Sequence, residues 1–342
     1  MVKFDVVVGN PPYQEDREGT RAKQIYPHFM DSAYEIADKV ILITPGRFLF
    51  NAGATSKEWN EKMLNDAHLK IVDYEPIGQA VFPNTDIKGG VAITYRDTAE
   101  SFEPIDFFVP NKTMKEILVK VEAHKPMETL DSIFYSQSSY KITRALIDDF
   151  KDHKEVYKRN AGSTVKTNLF DKLNYIFLED EPFENEEYFR MFGRTKNRRV
   201  YRWVKREYID TPKNFKDWKV MLPKANGSGH FGEVLSSPEI GRPFAGHTET
   251  FVSFGSFRNE AEALACLIYI KSKFARSLLG TLKITQDNTK RVWAKVPLQD
   301  FTKDSDIDWT KSIAEIDQQL YAKYGLSEEE ITFIETHVKE ME

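Results

Sequence analysis

The chain has 342 residues, which is enough for two domains with separate hydrophobic cores. A single cysteine excludes a disulfide framework and a cysteine-ligated zinc site, and the seven histidines include no pair at helical metal-ligand spacing. The formal charge is -5, no apolar stretch approaches a membrane span, and the N-terminus lacks a signal-peptide pattern, so we expect a cytoplasmic, metal-independent protein without a membrane partner.

The first predicted element is an apolar strand over residues 4–9, and the sequence Asn10-Pro11-Pro12-Tyr13 follows it directly. The side-chain oxygen of Asn10 and the carbonyl of Pro11 are hydrogen-bond acceptors beside an aromatic ring, on a segment that two prolines hold rigid. This arrangement predicts a binding site for an exocyclic amine. The alternative is that the two prolines merely end the strand.

The tetrapeptide after a hydrophobic strand resembles the catalytic motif of DNA methyltransferases that act on exocyclic amino groups, most often adenine N6. The resemblance implies that the target base is rotated out of duplex DNA and receives a methyl group from S-adenosylmethionine. Asn10, Pro11, Pro12 and Tyr13 would be the catalytic residues: Asn10 and Pro11 would accept from the amine, and Tyr13 would stack on the base. Cytosine N4 remains an alternative target.

Residues 24–39 have helical periodicity, and residues 40–44 and 69–74 follow as apolar strands. The later segment Val81-Phe82-Pro83, with a strand at 91–95, resembles the family motif whose aromatic residue packs against the flipped base. Phe82 would therefore contact the face opposite Tyr13, unless it is a core anchor. The resemblance implies an α/β fold with a partial, Rossmann-like methyltransferase sheet, in which parallel strands are buried on both faces.

Relatives with this motif order carry a cofactor-binding module before the catalytic strand, whereas nine residues precede Asn10 here. The one literal Gly-x-Gly-x-x-Gly, from Gly227 to Gly232, is followed by further proline and glycine and is expected to be a loop. We therefore expect the S-adenosylmethionine-binding residues to be absent from this chain and supplied by an N-terminal segment or a partner chain. The catalytic strand would then be an exposed apolar edge.

The net charge is distributed unevenly, at -6 for residues 1–150, +8 for 151–300 and -7 for 301–342. Residues 190–206 contain no acidic residue and carry aromatic side chains between the basic ones, which predicts contacts with duplex DNA, although a solvated, charged strand is the alternative. A second candidate segment is 283–295. The predicted DNA-binding residues are Arg190, Arg194, Lys196, Arg198, Arg199, Arg202, Lys205, Arg206, Lys290 and Arg291.

We divide the chain into a partial catalytic domain (1–110), a connecting helix (111–124), a mixed α+β target-recognition domain (125–300) and a helical tail (301–342). Paired strands at 90–97 and 104–109, one long helix from 260 to 280 and two tail helices are expected within these parts. This order resembles the C-terminal portion of bifunctional restriction-modification methylases. The alternatives are a DNA-recognition module without catalysis and, less well suited to the basic segment, methylation of protein or RNA.

Overall fold

A computed structural model describes residues 4–15, 23–51, 55–85, 87, 89–124, 128–153, 156, 160–183, 187–227 and 229–341. The chain forms two compact units, residues 1–112 and 113–342. We describe each unit by itself and call them the N-terminal unit and the C-terminal unit.

The N-terminal unit is built on a four-stranded sheet in the order β1-β4-β6-β5. Its strands are β1 (Phe4–Gly9), β4 (Ala37–Pro45), β5 (Leu69–Glu75) and β6 (Val91–Asp97), and a two-stranded ribbon joins β2 (Gln14–Glu15) to β3 (Lys23–Gln24). Strands β1 and β4 are parallel, whereas β4 with β6 and β5 with β6 are antiparallel. The sheet is therefore mixed, whereas the resemblance implied parallel strands.

Among the described residues, three helices accompany this sheet, α1 (Tyr26–Ile36), α2 (Lys57–Leu64) and α3 (Gly78–Val81), with a 3-10 helix at Gly46–Phe50. Helix α1 is shorter than the predicted 24–39 because its last residue is followed at once by β4. Tyr26, Met30 and Ala33 are its buried apolar face. Segment 104–109 forms no strand, so the predicted pairing with 90–97 was wrong.

Strand β1 is far more exposed than its apolar sequence predicts for a central strand. Phe4, Val6 and Val8 are 53%, 51% and 71% exposed, and β1 pairs only with β4 in the described part of the sheet. Polar side chains would ordinarily protect such an edge from pairing with another strand. The expectation that the catalytic strand is an exposed apolar edge in this chain is confirmed for the described residues.

The C-terminal unit contains the sheets β13-β12-β15-β7, β10-β9-β14 and β11-β8. The strands are β7 (Phe134–Tyr135), β8 (Lys141–Ile142), β9 (Tyr188–Thr195), β10 (Arg198–Lys205), β11 (Ile209–Asp210), β12 (Trp218–Pro223), β13 (Glu239–Gly241), β14 (Ala245–His247) and β15 (Phe251–Phe257). A continuous core packs against the inner face of β9 and β10, with Phe189, Met191 and Val204 among its buried side chains.

The helices of this unit are α4 (Lys112–Ala123), α5 (Arg144–Asp149), α6 (Leu169–Lys172), α7 (Glu260–Lys271), α8 (Lys273–Gly280), α9 (Ile313–Lys323) and α10 (Glu328–His337). The predicted long helix at 260–280 is two helices, because Ser272 ends α7 and its side chain accepts from the amide of Ala275 to cap α8. Capping boxes at Ser312 with Glu315 and at Ser327 with Glu330 begin the two tail helices.

Candidate functional site

The tetrapeptide Asn10-Pro11-Pro12-Tyr13 lies where the chain leaves the sheet after β1. The carbonyl of Tyr13 accepts hydrogen bonds from the amides of Ile25 and Tyr26, at 3.1 and 3.5 Å. These bonds attach the end of the turn to the start of α1, whose Tyr26 side chain is fully buried. The turn is thus held by the core at one side while the Asn10 side chain stays exposed.

This turn lines an open cavity of about 650 Å³ within the N-terminal unit. That volume falls in the range of roughly 300–1,000 Å³ typical of small-molecule sites. The described lining residues are Asn10, Pro11, Pro12, Tyr13, Gln14, Gln24, Pro45, Arg47, Phe82, Thr85 and Ile87. The structure therefore brings together the five N-terminal residues that the sequence singles out, and it adds six that sequence reasoning missed.

Tyr13 and Phe82 contact each other across part of this cavity. Their ring centroids are 6.2 Å apart and the ring planes are inclined by 77°, an edge-to-face arrangement. A base held between two parallel rings needs a centroid spacing of about 7 Å, twice the carbon contact distance. The two rings therefore do not form a ready-made slot, and a base stacked on Tyr13 would require one of the rings to turn.

The hydroxyl group of Tyr13 has no hydrogen-bond partner among the described residues, although the oxygen atom is buried. Burial raises the pKa of this phenol to about 12, so it is a neutral donor at physiological pH. The backbone of Phe82 is also held, since its amide donates to Gly78 and its carbonyl accepts from the amide and hydroxyl of Thr85. The backbone carbonyls of both ring-bearing residues therefore accept hydrogen bonds from neighbouring segments.

In the C-terminal unit, the basic segment 190–206 forms an antiparallel hairpin of β9 and β10. Lys196 and Asn197 make its two-residue turn, with φ of 46° and 62°, the left-handed values that such tight hairpin turns require. Val200, Arg202 and Val204 share one face and Tyr201, Trp203 and Lys205 the other, as strand alternation demands.

The structure divides the basic side chains of the hairpin into two groups. Arg199 pairs with Glu239 at 2.7 Å, Arg202 pairs with Glu179, and Lys205 lies 4.0 and 3.7 Å from the carboxylates of Glu187 and Glu207. By contrast, none of the described carboxylates lies within ion-pair distance of the exposed residues nearest the turn, which are Arg194, Lys196 and Arg198.

Four further cations have other surroundings. The guanidinium of Arg190 lies over the rings of Tyr201 and Trp203, at 4.4 and 5.9 Å, and that of Arg206 lies 5.0 Å from the ring of Phe244. Lys290 and Arg291 are exposed on a separate 3-10 helix, Lys290–Trp293, so they do not belong to the hairpin.

The glycine-rich segment does not fit a bound cofactor. A Cβ atom on Gly227 would lie 2.0 Å from the Glu233 carboxylate, and one on Gly229 would lie 2.4 Å from the amide of Thr285. Glu233 in turn pairs with the buried Lys283 at 2.7 Å. Gly227 makes room for the Glu233 side chain and Gly229 for the backbone at Thr285, and no helix begins at the described residues 229–238. In the described part of the chain, acidic, histidine and cysteine side chains form no cluster able to hold a metal.

Comparison with known proteins identifies the segment that contains the cavity. Residues 1–82 match the model of the Eco57I restriction-modification methylase family. This segment of the N-terminal unit is therefore similar to restriction-modification methylases. An uncharacterized adenine-specific methylase of Mycoplasma pneumoniae is 29% identical over 96 residues, which are 27% of this chain and 23% of that protein. The predicted resemblance to a restriction-modification adenine methylase is confirmed.

Two solved structures resemble the whole chain at low identity. The type IIG restriction endonuclease BpuSI is 12% identical with a TM-score of 0.36, covering 93% of this chain and 48% of that one. The type IIL restriction-modification enzyme MmeI, determined in complex with DNA, is 10% identical with a TM-score of 0.42, covering 97% and 56%. The chain thus spans about half the length of these two enzymes. Its matched segment spans about a quarter of the length of the Mycoplasma pneumoniae protein. None of the described helices is both long and apolar enough to cross a membrane.

Proposed function

We propose that this methylase chain transfers a methyl group from S-adenosylmethionine to adenine N6 in duplex DNA, as part of a restriction-modification system. The observation that carries the proposal is the cavity itself, since Asn10, Pro11, Tyr13 and Phe82 all line one open cavity of about 650 Å³. An adenine cannot reach such a recess while stacked, so it must rotate out of the helix.

The proposed role of the turn is to hold and orient the amine. The Asn10 side-chain oxygen and the Pro11 carbonyl would accept the two amine hydrogens, which leaves the nitrogen lone pair directed away from the ring. Stacking on Tyr13 would add roughly 1–3 kcal/mol of binding free energy. Because positioning and hydrogen bonding provide the catalysis, no nucleophilic side chain is needed.

Gly227 and Gly229 are crowded by Glu233 and Thr285, so this segment does not fit the methyl donor and we derive no step through it. We propose instead that the cofactor-binding part joins at the open edge of β1. Support comes from the apolar side chains exposed there, Phe4, Val6 and Val8, and from the backbone groups that an edge strand presents on its outer side. A strand added to this edge would cover these side chains and complete the sheet.

Duplex DNA is the partner that we propose for the C-terminal unit. Arg194, Lys196 and Arg198, which have no carboxylate partner among the described residues, lie at the exposed end of the hairpin, where they can approach phosphates. Arg199, Arg202 and Lys205 are engaged by carboxylates and serve mainly to hold the hairpin in place. Phosphate contacts of this kind supply affinity and orientation, whereas base contacts supply specificity.

Replacing Asn10 by alanine tests the catalytic role. Asn10→Ala in the enzyme assembled with its cofactor-binding part is expected to lower methyl transfer by at least about 10²-fold, the effect of removing a positioned hydrogen-bonding group. DNA affinity is expected to change little, because the phosphate contacts lie elsewhere. Radiolabelled methyl transfer and electrophoretic mobility shift measure the two effects separately.

Asn60→Ala is not a suitable control, because that side chain is buried; Asn65→Ala, at an exposed residue after α2, is the matched change. Retained turnover in Asn10→Ala would remove the proposed role of the turn.

A further inference from the structure

The tip of the basic hairpin extends beyond the third strand of its sheet. In the described sheet, β14 pairs with β9 from Arg190 to Phe192. Strands β9 and β10 stay paired beyond that point, as far as Thr195 opposite Arg198. Residues 194–199 therefore continue as a two-stranded ribbon, and four of these six residues are exposed. A projecting ribbon of this kind can enter a recess in a partner.

The ribbon is held by hydrogen bonds to another segment of the C-terminal unit. The amide of Arg194 donates to the hydroxyl of Thr167 at 2.7 Å, and that hydroxyl donates to the carbonyl of Arg194 at 2.9 Å. The hydroxyl of Thr195 donates to the carboxylate of Asp171 on α6. Because these contacts adjoin the turn, the tip has a defined orientation and loses little conformational freedom when it binds a partner.

The side chains at the tip are distributed as entry into a groove requires. Arg194 and Arg198 lie on opposite faces of the ribbon, because the cross-strand partner of Arg198 is Thr195, the neighbour of Arg194. Lys196 and Asn197 form the turn between them. The ribbon can therefore have phosphates on both sides and base edges ahead of its turn.

The dimensions of the ribbon favour the major groove of duplex DNA. Paired strands lie about 4.7–4.9 Å apart, so a two-stranded ribbon with its side chains fits a groove about 12 Å wide but not one about 6 Å wide. The major groove also presents a different set of hydrogen-bonding groups for each base pair, whereas the pattern in the minor groove is degenerate. The tip is therefore suited to reading sequence.

Asn197 carries an amide group that the protein itself does not use. Its side chain is exposed and forms no hydrogen bond with the part of the chain that the structure describes. Its φ of 62° is a left-handed value that asparagine tolerates and that glycine adopts at lower cost. The turn geometry thus explains a permissive residue here, but it does not require the amide. In the major groove, an asparagine amide matches N7 and N6 of adenine with one donor and one acceptor.

We propose that the tip of this hairpin enters the major groove of duplex DNA, where the Asn197 amide reads an adenine of the recognised sequence. The inference rests on the proposed function, because it names the residue that gives specificity to the proposed DNA contact. The amide nitrogen donates to adenine N7 and the amide oxygen accepts from adenine N6, while Arg194 and Arg198 contact phosphates on the two sides of the groove. This adenine stays stacked in the duplex, so it is distinct from the base that enters the cavity.

Replacing Asn197 by glycine separates base reading from turn formation. Glycine suits a left-handed turn at least as well as asparagine, so Asn197→Gly should keep the hairpin and lose only the amide. The full chain and the variant are each incubated with a library of duplexes that carry a randomised central segment, and the bound duplexes are sequenced. We expect the unmodified chain to prefer an A·T pair at one position by about tenfold, and the variant to lose that preference while keeping the others.

A control variant and a modified base keep the test interpretable. Asn174→Gly removes an exposed amide at another turn of the same unit and should leave the selected sequence unchanged. Circular dichroism confirms that each variant is folded. 7-Deazaadenine lacks the N7 acceptor in the major groove; at the position affected by Asn197→Gly, it should weaken binding of the unmodified chain about fivefold, the loss of one hydrogen bond, and should not affect the variant. Fluorescence anisotropy measures these affinities.

Several outcomes would overturn the inference. The same selected sequence from Asn197→Gly, or an equal effect of 7-deazaadenine on both proteins, would show that the amide reads no base. Loss of a preference for a pair other than A·T would contradict the contact with adenine. Duplex binding without any sequence preference defeats the inference alone and leaves the phosphate contacts standing. If the chain binds no duplex at any salt concentration, the proposed DNA partner fails together with this inference.

Discussion

The imidazole of His247 shows how burial fixes a protonation state in the C-terminal unit. Its Nδ1 lies 3.1 Å from the carbonyl of Thr248 and its Nε2 lies 3.2 Å from the hydroxyl of Ser253. The carbonyl can only accept, so Nδ1 carries the proton and Nε2 accepts from the serine. Burial lowers the pKa of this histidine to about 4, and the nearby Lys219 ammonium acts in the same direction.

The free energy of unfolding should therefore depend on pH between about 6.5 and 4. Below pH 6.5 the unfolded chain binds a proton at this position that the folded chain does not bind, so stability decreases as the pH falls. At about pH 5, roughly 1.5 units below the ordinary histidine pKa, the decrease is about 2 kcal/mol, at roughly 1.36 kcal/mol per pH unit. Urea unfolding at about pH 7 and about pH 5, on either side of the ordinary histidine pKa, measures it.

His247→Gln isolates this contribution, because glutamine does not titrate and its amide retains a donor and an acceptor. We expect the difference in unfolding free energy between the two pH values to be smaller in the variant than in the unmodified protein. Equal differences in the two proteins would show that His247 is protonated as readily when folded as when unfolded.

Single residues differ in how readily their roles can be read from sequence. Asn10 to Tyr13 are recognisable because their acceptors, ring and prolines are contiguous in the chain. Arg47 was missed because its place in the cavity depends on the parallel pairing of two strands, a tertiary contact that no local pattern reveals. Lys219 was missed for the same reason: its buried ammonium donates to the carbonyls of Phe215, Arg242 and Ala245, which are close only in the folded unit.

At the scale of elements, the hairpin of β9 and β10 contains basic side chains that pair with carboxylates and others that have no carboxylate partner among the described residues. The sequence predicted β10, but it did not reveal the hairpin, because Lys-Asn is a weaker turn signal than Asn-Gly. It also could not show that Arg199, unlike Arg198, has a carboxylate partner, because that partner is Glu239 on a different sheet. Composition located the basic surface, and only tertiary structure shows which cations remain available.

Neutralising the available cations should reduce the salt dependence of DNA binding. For Arg194→Gln with Arg198→Gln, we expect the slope of log affinity against log salt concentration to flatten by about 0.9 for each phosphate that the protein no longer neutralises. Affinity should fall for specific and non-specific duplexes alike, because phosphate contacts carry no sequence information. Fluorescence anisotropy over a salt series gives the slope.

Lys303→Gln with Lys311→Gln is the control, since it removes the same charge from exposed positions in the acidic tail. We expect an unchanged slope in that variant. Equal slopes in the control and hairpin variants would exclude Arg194 and Arg198 from the DNA interface.

At the scale of the whole molecule, the sequence predicts the strands of the N-terminal unit better than it predicts how they pair. The strands of the N-terminal unit follow from local patterns, whereas the antiparallel pairings of β6 depend on which strands are neighbours. The apolar sequence of β1 suits a strand that has a neighbouring strand on each side. In the described sheet, however, β1 pairs only with β4. This mismatch is a property of the assembled sheet, and it motivates the proposal that another segment completes it.

The proposal makes a direct prediction for the binding of S-adenosylmethionine. Isothermal calorimetry should detect no micromolar binding to this chain alone, because the described glycine-rich segment is filled by Glu233 and its neighbours. Adding a chain that contains the cofactor-binding part of an Eco57I-type methylase should restore both binding and methyl transfer. Val8→Lys, which puts a charge on the open edge of β1, should weaken that restoration while leaving mononucleotide binding in the cavity intact. Micromolar binding by the chain alone would instead place a complete cofactor site within it.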